Sequence, residues 1–310
     1  MNRFLARVGS SLIVLFAVAA IAQTPNPAPA PHKPSQQDLY IQESGNGIEF
    51  AKARLLLKGG EAPSALRDGK GRVVVLFDWH PAETNGSARI AMVSSTDEGQ
   101  TWTNPEPIVL RGLPGGYREP SSPTVVLLEE GKIRLYFTSC ATLRSKQQMI
   151  YSALSSDAFH YVFEPGVRFG IEDGKTSVSD CAVARSGKMF HLCAPISGQF
   201  GRGYHALSEG GLRFQRLADI TMQPPREWLG NLMSFRDGLG FYGTSMGEMW
   251  IGFSRDGVGW RAETRNGEHG GDPAIAQTKA GRFLRIYTAE AQADSNRAKI
   301  PVAGREKHEE

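Results

Sequence analysis

The sequence predicts an all-β protein, and more closely a five-bladed β-propeller with four-stranded antiparallel blades whose last blade is closed by N-terminal strands. Three observations support this fold class. A hairpin phrase recurs five times, four copies are followed by a second hairpin, and one unit is split between the two ends of the chain. The composition agrees, since 35 glycines and 15 phenylalanines among short apolar runs are typical of a turn-rich β protein.

The recurring phrase consists of a few apolar residues, a turn that ends in glycine, and a strand rich in β-branched and aromatic residues. Its copies start about 40 to 60 residues apart, the spacing at which the sheet units of propellers repeat. We interpret each copy as the first two strands of one blade. The five starts are Ala62, Ser122, Asp180, Asn231 and Asp272.

A second apolar run and a glycine-bearing turn follow the first four copies, as in "ARIAMVSSTDEGQTW" and "EMWIGFSRDGVGW". The fifth copy lacks this half, because the sequence becomes polar after Thr288. The segment "LYIQESGNGIEFAKARLLL", Leu39 to Leu57, supplies the missing strands and closes the ring without an open sheet edge. A β-sandwich is the alternative fold, but it does not explain five phased copies with a split unit.

The N-terminal residues predict export. Residues 1–22 resemble a signal peptide, because Arg3 and Arg7 precede an apolar core and Ala20-Ile21-Ala22 forms a small-x-small cleavage site. Residues 23–38 are a proline-rich linker, residues 39–290 the propeller, and residues 291–310 a polar tail expected to be disordered. We expect a secreted protein, periplasmic or extracellular, with no membrane insertion after cleavage. An uncleaved anchor is the alternative, although the apolar core is shorter than the about 20 residues that span a bilayer.

Charge and cysteine content narrow the function classes. The formal net charge of +3 includes Arg3 and Arg7, so the mature body is close to neutral and lacks the basic footprint of a nucleic-acid binder. The three cysteines, Cys140, Cys181 and Cys193, allow one disulfide with one thiol left over. The apolar runs around Cys181 and Cys193 favour buried, unpaired side chains instead.

No cofactor or metal is predicted. The glycine-rich stretches "LKGGEAP" and "EHGGDP" lack the Lys-Ser/Thr ending and the following helix of a phosphate-binding loop. A G-x-S-x-G nucleophile elbow is also missing from the sequence. The run Asp78-Trp79-His80 offers one aspartate and one histidine, which do not make a zinc ligand set.

The stretch Ser95 to Trp102 follows the pattern S-x-D-x-G-x-T-W, and Ser254-Arg255-Asp256-Gly257 with Trp260 is a shorter copy. In both copies the aspartate is expected to accept backbone N–H groups across a tight turn, while the tryptophan packs between sheets. A calcium loop is the alternative, but it needs acids at alternating positions and a terminal bidentate glutamate. We therefore predict a structural role for Asp97 and Asp256.

These motifs resemble the Asp-box (BNR-repeat) proteins of the sialidase-like superfamily. The unit count is also similar to that of five-bladed glycoside hydrolases of the arabinanase and fructosidase type. The resemblance covers Leu39 to Thr288. It implies a propeller that binds a carbohydrate or glycoconjugate, and we expect a monomer. Sialidases carry a Y/F-R-I-P phrase whose arginine binds the substrate carboxylate, and Tyr117-Arg118-Glu119-Pro120 is similar to it, with glutamate in place of the aliphatic residue.

In the five-bladed hydrolases, acids open the innermost strands, often as Asp-Pro. Asp272-Pro273 is similar to that phrase, and Asp180 has the same phase in the third unit. Glycoside cleavage uses one carboxyl to protonate the leaving oxygen and another as base or nucleophile. We predict Asp180 and Glu119 as the acid/base pair, and Asp272 as a base or as the charge that tunes the pair. The alternatives are that both aspartates only cap their own loops and that Glu119 pairs with Arg118.

Further side chains on the same face are predicted to bind substrate, the tryptophans by stacking on sugar faces and the others by hydrogen bonds or charge. For the tryptophans the alternative is packing between blades. The predicted binding residues are Glu61, Trp79, His80, Tyr117, Arg118, Arg202, Trp228, Asn231 and His269.

The sequence therefore predicts a secreted carbohydrate-active propeller that acts as a sialidase-like or arabinanase-like glycoside hydrolase through paired carboxylates. The alternative is a non-catalytic propeller that binds a glycan or a protein partner. Acid geometry separates the two, because hydrolysis needs at least two carboxyls within about 10 Å of each other.

Overall fold

The regular structure consists of 22 β-strands and one short 3-10 turn at Glu129–Gly131, in a computed structural model that describes residues 37–81, 88–142, 145–263 and 269–290. The predicted signal peptide, nearly all of the predicted linker and the polar tail lie outside these residues. None of the described segments forms a helix with the length and hydropathy needed to cross a membrane.

Most strands fall into five consecutive antiparallel groups, each numbered here by its place in the chain. The first group contains β3 (Gly60–Arg67), β4 (Val73–Trp79), β5 (Arg89–Ser95) and β6 (Glu106–Pro107). The second contains β8 (Ser121–Leu127), β9 (Ile133–Ser139), β10 (Met149–Ser155) and β11 (His160–Phe169). The third contains β12 (Ala182–Ser186), β13 (Met189–Pro195), β14 (Arg202–Ser208), β15 (Gln215–Arg216) and β16 (Ile220–Gln223).

The fourth group contains β17 (Leu229–Phe235), β18 (Gly238–Ser245), β19 (Glu248–Ser254) and β20 (Trp260–Glu263). The fifth contains β21 (Gly271–Gln277), β22 (Phe283–Glu290), β1 (Gln37–Ser44) and β2 (Arg54–Lys58). One further strand, β7 (Val109–Arg111), lies between the first and second groups in the chain.

The five groups stand side by side in a ring. The first strands of the groups, β3, β8, β12, β17 and β21, contact one another in that cyclic order. A separate apolar cluster fills each of the five spaces between neighbouring groups. Both faces of the inner sheets are therefore covered, which is why β4 and β18 are almost continuously apolar instead of alternating.

The two ends of the described chain meet in the fifth group, as the split unit predicts. Strand β1 pairs antiparallel with β22 along its whole length, from Gln37 opposite Glu290 to Ser44 opposite Phe283. Strand β2 then pairs with the other side of β1. The strand begins at Gln37, two residues before the predicted start at Leu39.

The outer strands depart from the predicted set of separate four-stranded antiparallel sheets. Strand β7 pairs in parallel with β11 of the second group, and β16 pairs in parallel with β20 of the fourth. The second pairing joins the third and fourth groups into one nine-stranded sheet. These outer strands are short and lie at sheet edges, so pairing with the next group satisfies backbone groups that an edge leaves open.

A repeated turn links the third and fourth strands of every group. At each turn a serine hydroxyl oxygen accepts a backbone N–H from three or four residues further on, in the series Ser44, Ser95, Ser155, Ser208 and Ser254. Asp97 accepts the N–H groups of Gln100 and Thr101, and Trp102 donates its indole N–H to Gly99. The hydrogen bonds predicted for the aspartate turns are thus present.

The three cysteines are buried and none forms a disulfide. Burial raises the pKa of the Cys181 and Cys193 thiols, which keeps both protonated. The second interpretation from the sequence, small buried apolar side chains, is therefore the one that the structure supports.

Candidate functional site

The site is built on an irregularity that recurs where the first strand of each group begins. Ala62, Ser122, Asp180 and Asp272 all have φ between 45° and 53°, and Gly230 has φ 142° in the fourth group. The pairing register breaks around three of these positions. A β-bulge of this kind redirects a side chain out of the sheet. All five residues line one cavity at the common axis of the ring.

The fourth group corrects one expectation. The sequence alignment of the copies placed Asn231 in the phase of Asp180, but Gly230 occupies that position. Only glycine fits there, because a Cβ atom on Gly230 would lie 2.0 Å from the carbonyl oxygen of Tyr242. Asn231 is one residue further on and buried, and its side-chain amide donates to Ser64 Oγ at 3.3 Å. Its hydrogen bond joins two groups of the ring, so we assign Asn231 a structural role.

The cavity at the axis is small. Two acids, Asp180 and Asp272, line this cavity together with Ser122 and the structural residue Asn231. The structure thus brings together two of the three carboxyls that the sequence predicts to be catalytic, although they are 92 residues apart in the chain.

The carboxylate of Asp180 is held by two hydroxyl groups. Ser122 donates its hydroxyl to Oδ1 at 2.7 Å, and Ser179 donates its hydroxyl to Oδ2 at 2.6 Å. Each carboxylate oxygen therefore has a donor, which fixes the plane of the carboxylate. The alternative that Asp180 only caps its own loop is weakened, because Ser122 belongs to the second group and not to the loop of Asp180.

A third acid, Asp78, lies behind the cavity wall. It is 6% exposed, and the backbone N–H of Ser122 donates to its Oδ2 at 2.9 Å. Its Oδ1 is buried with no hydrogen-bond partner among the described residues. Burial raises the pKa of Asp78 to about 8, against the opposing effect of the Ser122 hydrogen bond and with help from the charges of Glu61, Asp180 and Asp272. Asp78 is therefore protonated at neutral pH.

Asp78 and Asp180 are close because both bond to Ser122. The backbone nitrogen and the hydroxyl oxygen of one serine are less than about 4 Å apart, which keeps the two bonded carboxyl oxygens within about 9 Å of each other. Ser122 therefore links the buried Asp78 to the cavity residue Asp180.

Asp272 is half-buried in the cavity wall. Burial, together with the negative charges of Asp180 and Glu61, raises its pKa to about 6. Asp272 therefore keeps a substantial protonated fraction in mildly acidic solution, whereas its ordinary pKa is 3.8. An acid with this property next to an oriented carboxylate is the arrangement that general acid catalysis requires.

Glu61 and His80 form a pair at the mouth of the same region. Oε1 of Glu61 lies 2.5 Å from Nε2 of His80, and Glu61 acts electrostatically on both Asp78 and Asp272. Both residues were predicted to bind substrate, and the structure places them beside the acid cluster. The pair positions a hydrogen-bonding group next to the cavity without adding a second buried negative charge when the histidine is protonated.

Three of the predicted residues lie away from the axis. Glu119 is exposed and lines a different cavity, between the first and second groups, while Arg118 is exposed next to it. Tyr117 packs edge-on against Tyr151 and Phe163, with ring centroids 5.2 and 5.8 Å away. The predicted Asp180–Glu119 pair is therefore replaced by Asp180 with Asp272 in the cavity, because the Tyr117 ring anchors this loop in the apolar core.

The two predicted sugar platforms are packing residues. Trp228 is fully buried among Phe241, Trp250 and Trp260 in the cluster between the third and fourth groups. Trp79 is partly buried and packs against the cluster between the fifth and first groups. A sugar has no access to the Trp228 ring, so the alternative stated for it, packing between groups, is correct.

The last two predicted binding residues lie at the rim of this face. Arg202 forms an ion pair with Asp219 at 2.8 Å and donates to the side-chain oxygen of Gln199. His269 is exposed and bridges to Glu248 through its backbone. Neither touches the acid cluster directly.

Sequence reasoning missed the position of Asp78, but an alignment of the second strands contains the signal. The position of Asp78 in β4 is equivalent to that of Thr138 in β9, Thr244 in β18 and Thr288 in β22, as the pairing with each first strand shows. A carboxyl in one copy, where three of the other four copies have a neutral hydroxyl, distinguishes the first group. Within the described residues, no group of three His, Cys, Asp or Glu side chains is placed to hold a metal ion.

No family model matches the sequence, and no curated protein sequence matches it. Solved structures do resemble its fold. A GH43_1 enzyme from Xanthomonas citri has a TM-score of 0.55 at 14% identity, over 78% of this chain and 91% of that one. A family 117 glycoside hydrolase from Zobellia galactanivorans has a TM-score of 0.53 at 14% identity, over 76% and 86%.

A third similar structure is the Hadza microbial sialidase Hz136, with a TM-score of 0.53 at 13% identity over 78% of this chain and 57% of that one. At identities this low, the likeness shows a shared propeller-like all-β fold. It does not transfer a reaction, since one fold supports many unrelated functions.

Proposed function

We propose that this protein is a secreted five-bladed propeller of the Asp-box kind that hydrolyses a glycosidic bond in its axial cavity, with Asp180 and Asp272 as the reacting carboxyls. The observation that carries the proposal is the pair itself. Two acids from distant repeats line one cavity, one with a pKa raised to about 6 and one oriented by two hydroxyl donors.

The environments of the two acids divide their roles. Asp272, whose pKa is raised by burial and by neighbouring charges, donates a proton to the leaving glycosidic oxygen. Asp180, oriented by its two serine donors, acts from the other side of the sugar, either on a water molecule or directly on the anomeric carbon. Asp78 remains protonated behind Ser122 and positions that serine, so we regard it as a positioning residue.

Three further observations support the proposal. The solved structures that resemble this fold include proteins named as glycoside hydrolases and as a sialidase. The five repeated turns and the ring of five strand groups support the Asp-box propeller family. Residues 1–22 support secretion, since they have the charge and apolar pattern of a signal peptide.

The test is a screen of the purified mature protein against aryl glycosides and polysaccharides, with Asp180→Asn and Asp272→Asn alongside. We expect each variant to lose about 10²- to 10⁴-fold in kcat/KM, the usual range for removing an acid or base. The wild-type rate should fall as pH rises above about 6, because Asp272 then loses the proton that it donates.

The Asp180→Asn variant also gives a sign test. Removing the charge of Asp180 removes one cause of the raised pKa of Asp272, so any residual activity should decline at a lower pH than in the wild type. Turnover that survives in both variants would contradict the proposal. Glycan binding without turnover in the wild type would instead favour the non-catalytic alternative.

A further inference from the structure

A cleft leads outward from the axial cavity on the face where the first strands begin. It is formed by the loop between β13 and β14, the segment before β12 and the segment before β17, so it lies between the third and fourth groups. The cleft is much larger than the cavity at the axis. Asp180 lines both spaces, so a ligand held at Asp180 extends naturally into the cleft.

The tip of the β13–β14 loop exposes an aromatic ring in this cleft. Phe200 is 53% exposed, and among the phenylalanines, tyrosines and tryptophans that the structure describes it is the only one in the exposed class. All the others are buried or half-buried in the cores. An exposed phenyl ring is unfavourable in water, so one that lines a cleft beside reacting acids indicates a ligand surface.

The loop that carries Phe200 is braced. The N–H of Gln199 donates to Ile196, and the N–H of Arg202 donates back to Gln199, which closes two successive turns around the ring. Gly201 has φ 79° and lies against Pro225, where a Cβ atom would come within 2.9 Å of the proline side chain. The ring is therefore presented on a fixed turn, and little entropy is lost when a ligand stacks on it.

The polar groups of the cleft suit a neutral sugar. Its charged lining residues are Asp180, Glu227 and Arg202. Asp219 pairs with both Arg202 at 2.8 Å and Arg216 at 2.7 Å, so this group carries one positive charge against the two lining acids. Together with the acids at the axis, the remaining charge is negative, which repels carboxylate sugars. Hydrogen-bonding side chains without charge, from Gln148, Ser197 and Gln199, complete the lining.

We propose that this cleft is a second sugar subsite, in which a neutral sugar ring stacks on Phe200 while the adjoining ring of the same chain lies at Asp180 and Asp272. The substrate is therefore a neutral oligosaccharide or polysaccharide, and neither a single sugar derivative nor a sialoside. This inference rests on the proposed function, since it takes the axial acids as the place of bond cleavage. It also replaces the predicted stacking residue Trp228 with Phe200.

The experiment compares Phe200→Ala, Phe200→Tyr and Val258→Ala with the wild type. Val258 is 57% exposed on the repeated turn after β19, at the opposite ends of the strands, so it controls for loss of an exposed apolar side chain. The probes are neutral arabino-, xylo-, galacto- and manno-oligosaccharides of two to five units, the matching aryl monosaccharides, and sialyllactose. KM and kcat are measured for each probe that is cleaved.

We expect Phe200→Ala to raise KM for the oligosaccharides about tenfold, which corresponds to about 1.4 kcal/mol of lost stacking. The aryl monosaccharides should keep their KM within about twofold, because they do not reach the cleft. Phe200→Tyr should restore the oligosaccharide KM, and Val258→Ala should change neither class. Sialyllactose should not be cleaved.

Failure of the subsite and failure of the proposed function give different results. If the wild type cleaves these probes but Phe200→Ala leaves the oligosaccharide KM unchanged, or raises both classes equally, the subsite is wrong and the hydrolase stands. Preferential cleavage of sialyllactose also overturns the subsite alone. If no probe is bound or cleaved by the wild type, the proposed function and the subsite fall together.

Discussion

Aspartates lie at both ends of the strand groups, but their pKa values are shifted in opposite directions. At the axial end, burial raises the pKa of Asp78 to about 8 and that of Asp272 to about 6. At the repeated turns, hydrogen bonds from Thr101 outweigh the partial burial of Asp97 and lower its pKa, and the backbone N–H of Gly259 does the same for Asp256.

The two kinds of aspartate have opposite effects on the stability of the fold. An aspartate whose pKa is lowered by local donors stabilises the fold in its ionised form, and its replacement weakens a turn. An aspartate whose pKa is raised costs stability at neutral pH, because folding must keep a proton that the unfolded chain would release. Such groups are common at functional sites, so the raised pKa values mark the axial end as the candidate site.

The largest expected effect comes from Asp78→Asn, which removes a buried acid but keeps an oxygen that can accept from Ser122. The folded pKa of Asp78 lies above its unfolded value of 3.8, so the wild type loses stability as pH rises from about 4 to about 8. Each pH unit in this range changes the unfolding free energy of the wild type by about 1.4 kcal/mol. The unfolding free energy of the variant, relative to that of the wild type, should therefore rise by on the order of 5 kcal/mol across the range.

Denaturant unfolding of both proteins at pH 4, 6 and 8 measures this gain. Asp272 lowers the unfolding free energy by a smaller amount between about pH 4 and 6. It does so in both proteins, so its contribution cancels when the variant is compared with the wild type. A difference in unfolding free energy that does not change with pH would show that Asp78 is ionised in the folded protein, against the assignment made above.

A smaller effect of the opposite sign is expected from Asp97→Ala at the turn end. The variant loses the acceptor for Gln100, Thr101 and the Ser95 hydroxyl, and we expect about 1 kcal/mol of destabilisation at pH 7. The folded pKa of Asp97 is below its unfolded value, so this loss should shrink as pH falls through the ordinary range of an aspartate.

The matched control for Asp97→Ala is Asp237→Ala, since Asp237 lies in the turn between β17 and β18 and is 78% exposed with only a 3.8 Å ion pair to Arg255. Its replacement should leave the midpoint of thermal unfolding almost unchanged. Equal destabilisation by both variants would mean that the turn hydrogen bonds of Asp97 contribute nothing specific.

The smallest effect is expected from Glu119→Gln. This residue is exposed and faces a cavity between the first and second groups, away from the acids at the axis. The variant should keep kcat/KM within about twofold of the wild type, and its pH–rate profile should be unchanged. A loss of tenfold or more would return Glu119 to the catalytic pair that the sequence suggests.

The fold was largely predictable because the same hairpin phrase recurs in the sequence. Five hairpin phrases with the same period, and a missing half at one end matched by a spare half at the other, give the pairing of β1 with β22 without any contact information. The outer strands were not predictable. The pairing of β16 with β20 depends on which edges meet after the groups have packed, and short polar segments such as "ITMQ" carry no such signal.

The site was predictable in type and partly in position. The sequence placed Asp180 and Asp272 together because both stand at the same phase of the repeat, and the structure shows both in one cavity. Glu119 and Trp228 were misplaced because their roles depend on local packing, where Tyr117 anchors one loop and an aromatic cluster encloses the indole. The low exposure of Asp78 and the high exposure of Phe200 are properties of the assembled ring and not of any short stretch of sequence.

The pairing of β1 with β22 also means that the ring cannot close until the end of the chain has been synthesised. Strand β1 is among the first parts of the ring to be synthesised and β22 the last, with roughly 240 residues between them. At a typical 5–20 residues per second, β1 waits roughly 10 to 50 seconds for its partner. During that interval its free edge is open to strands from other nascent chains, so slower elongation gives misassembly more time to compete with ring closure.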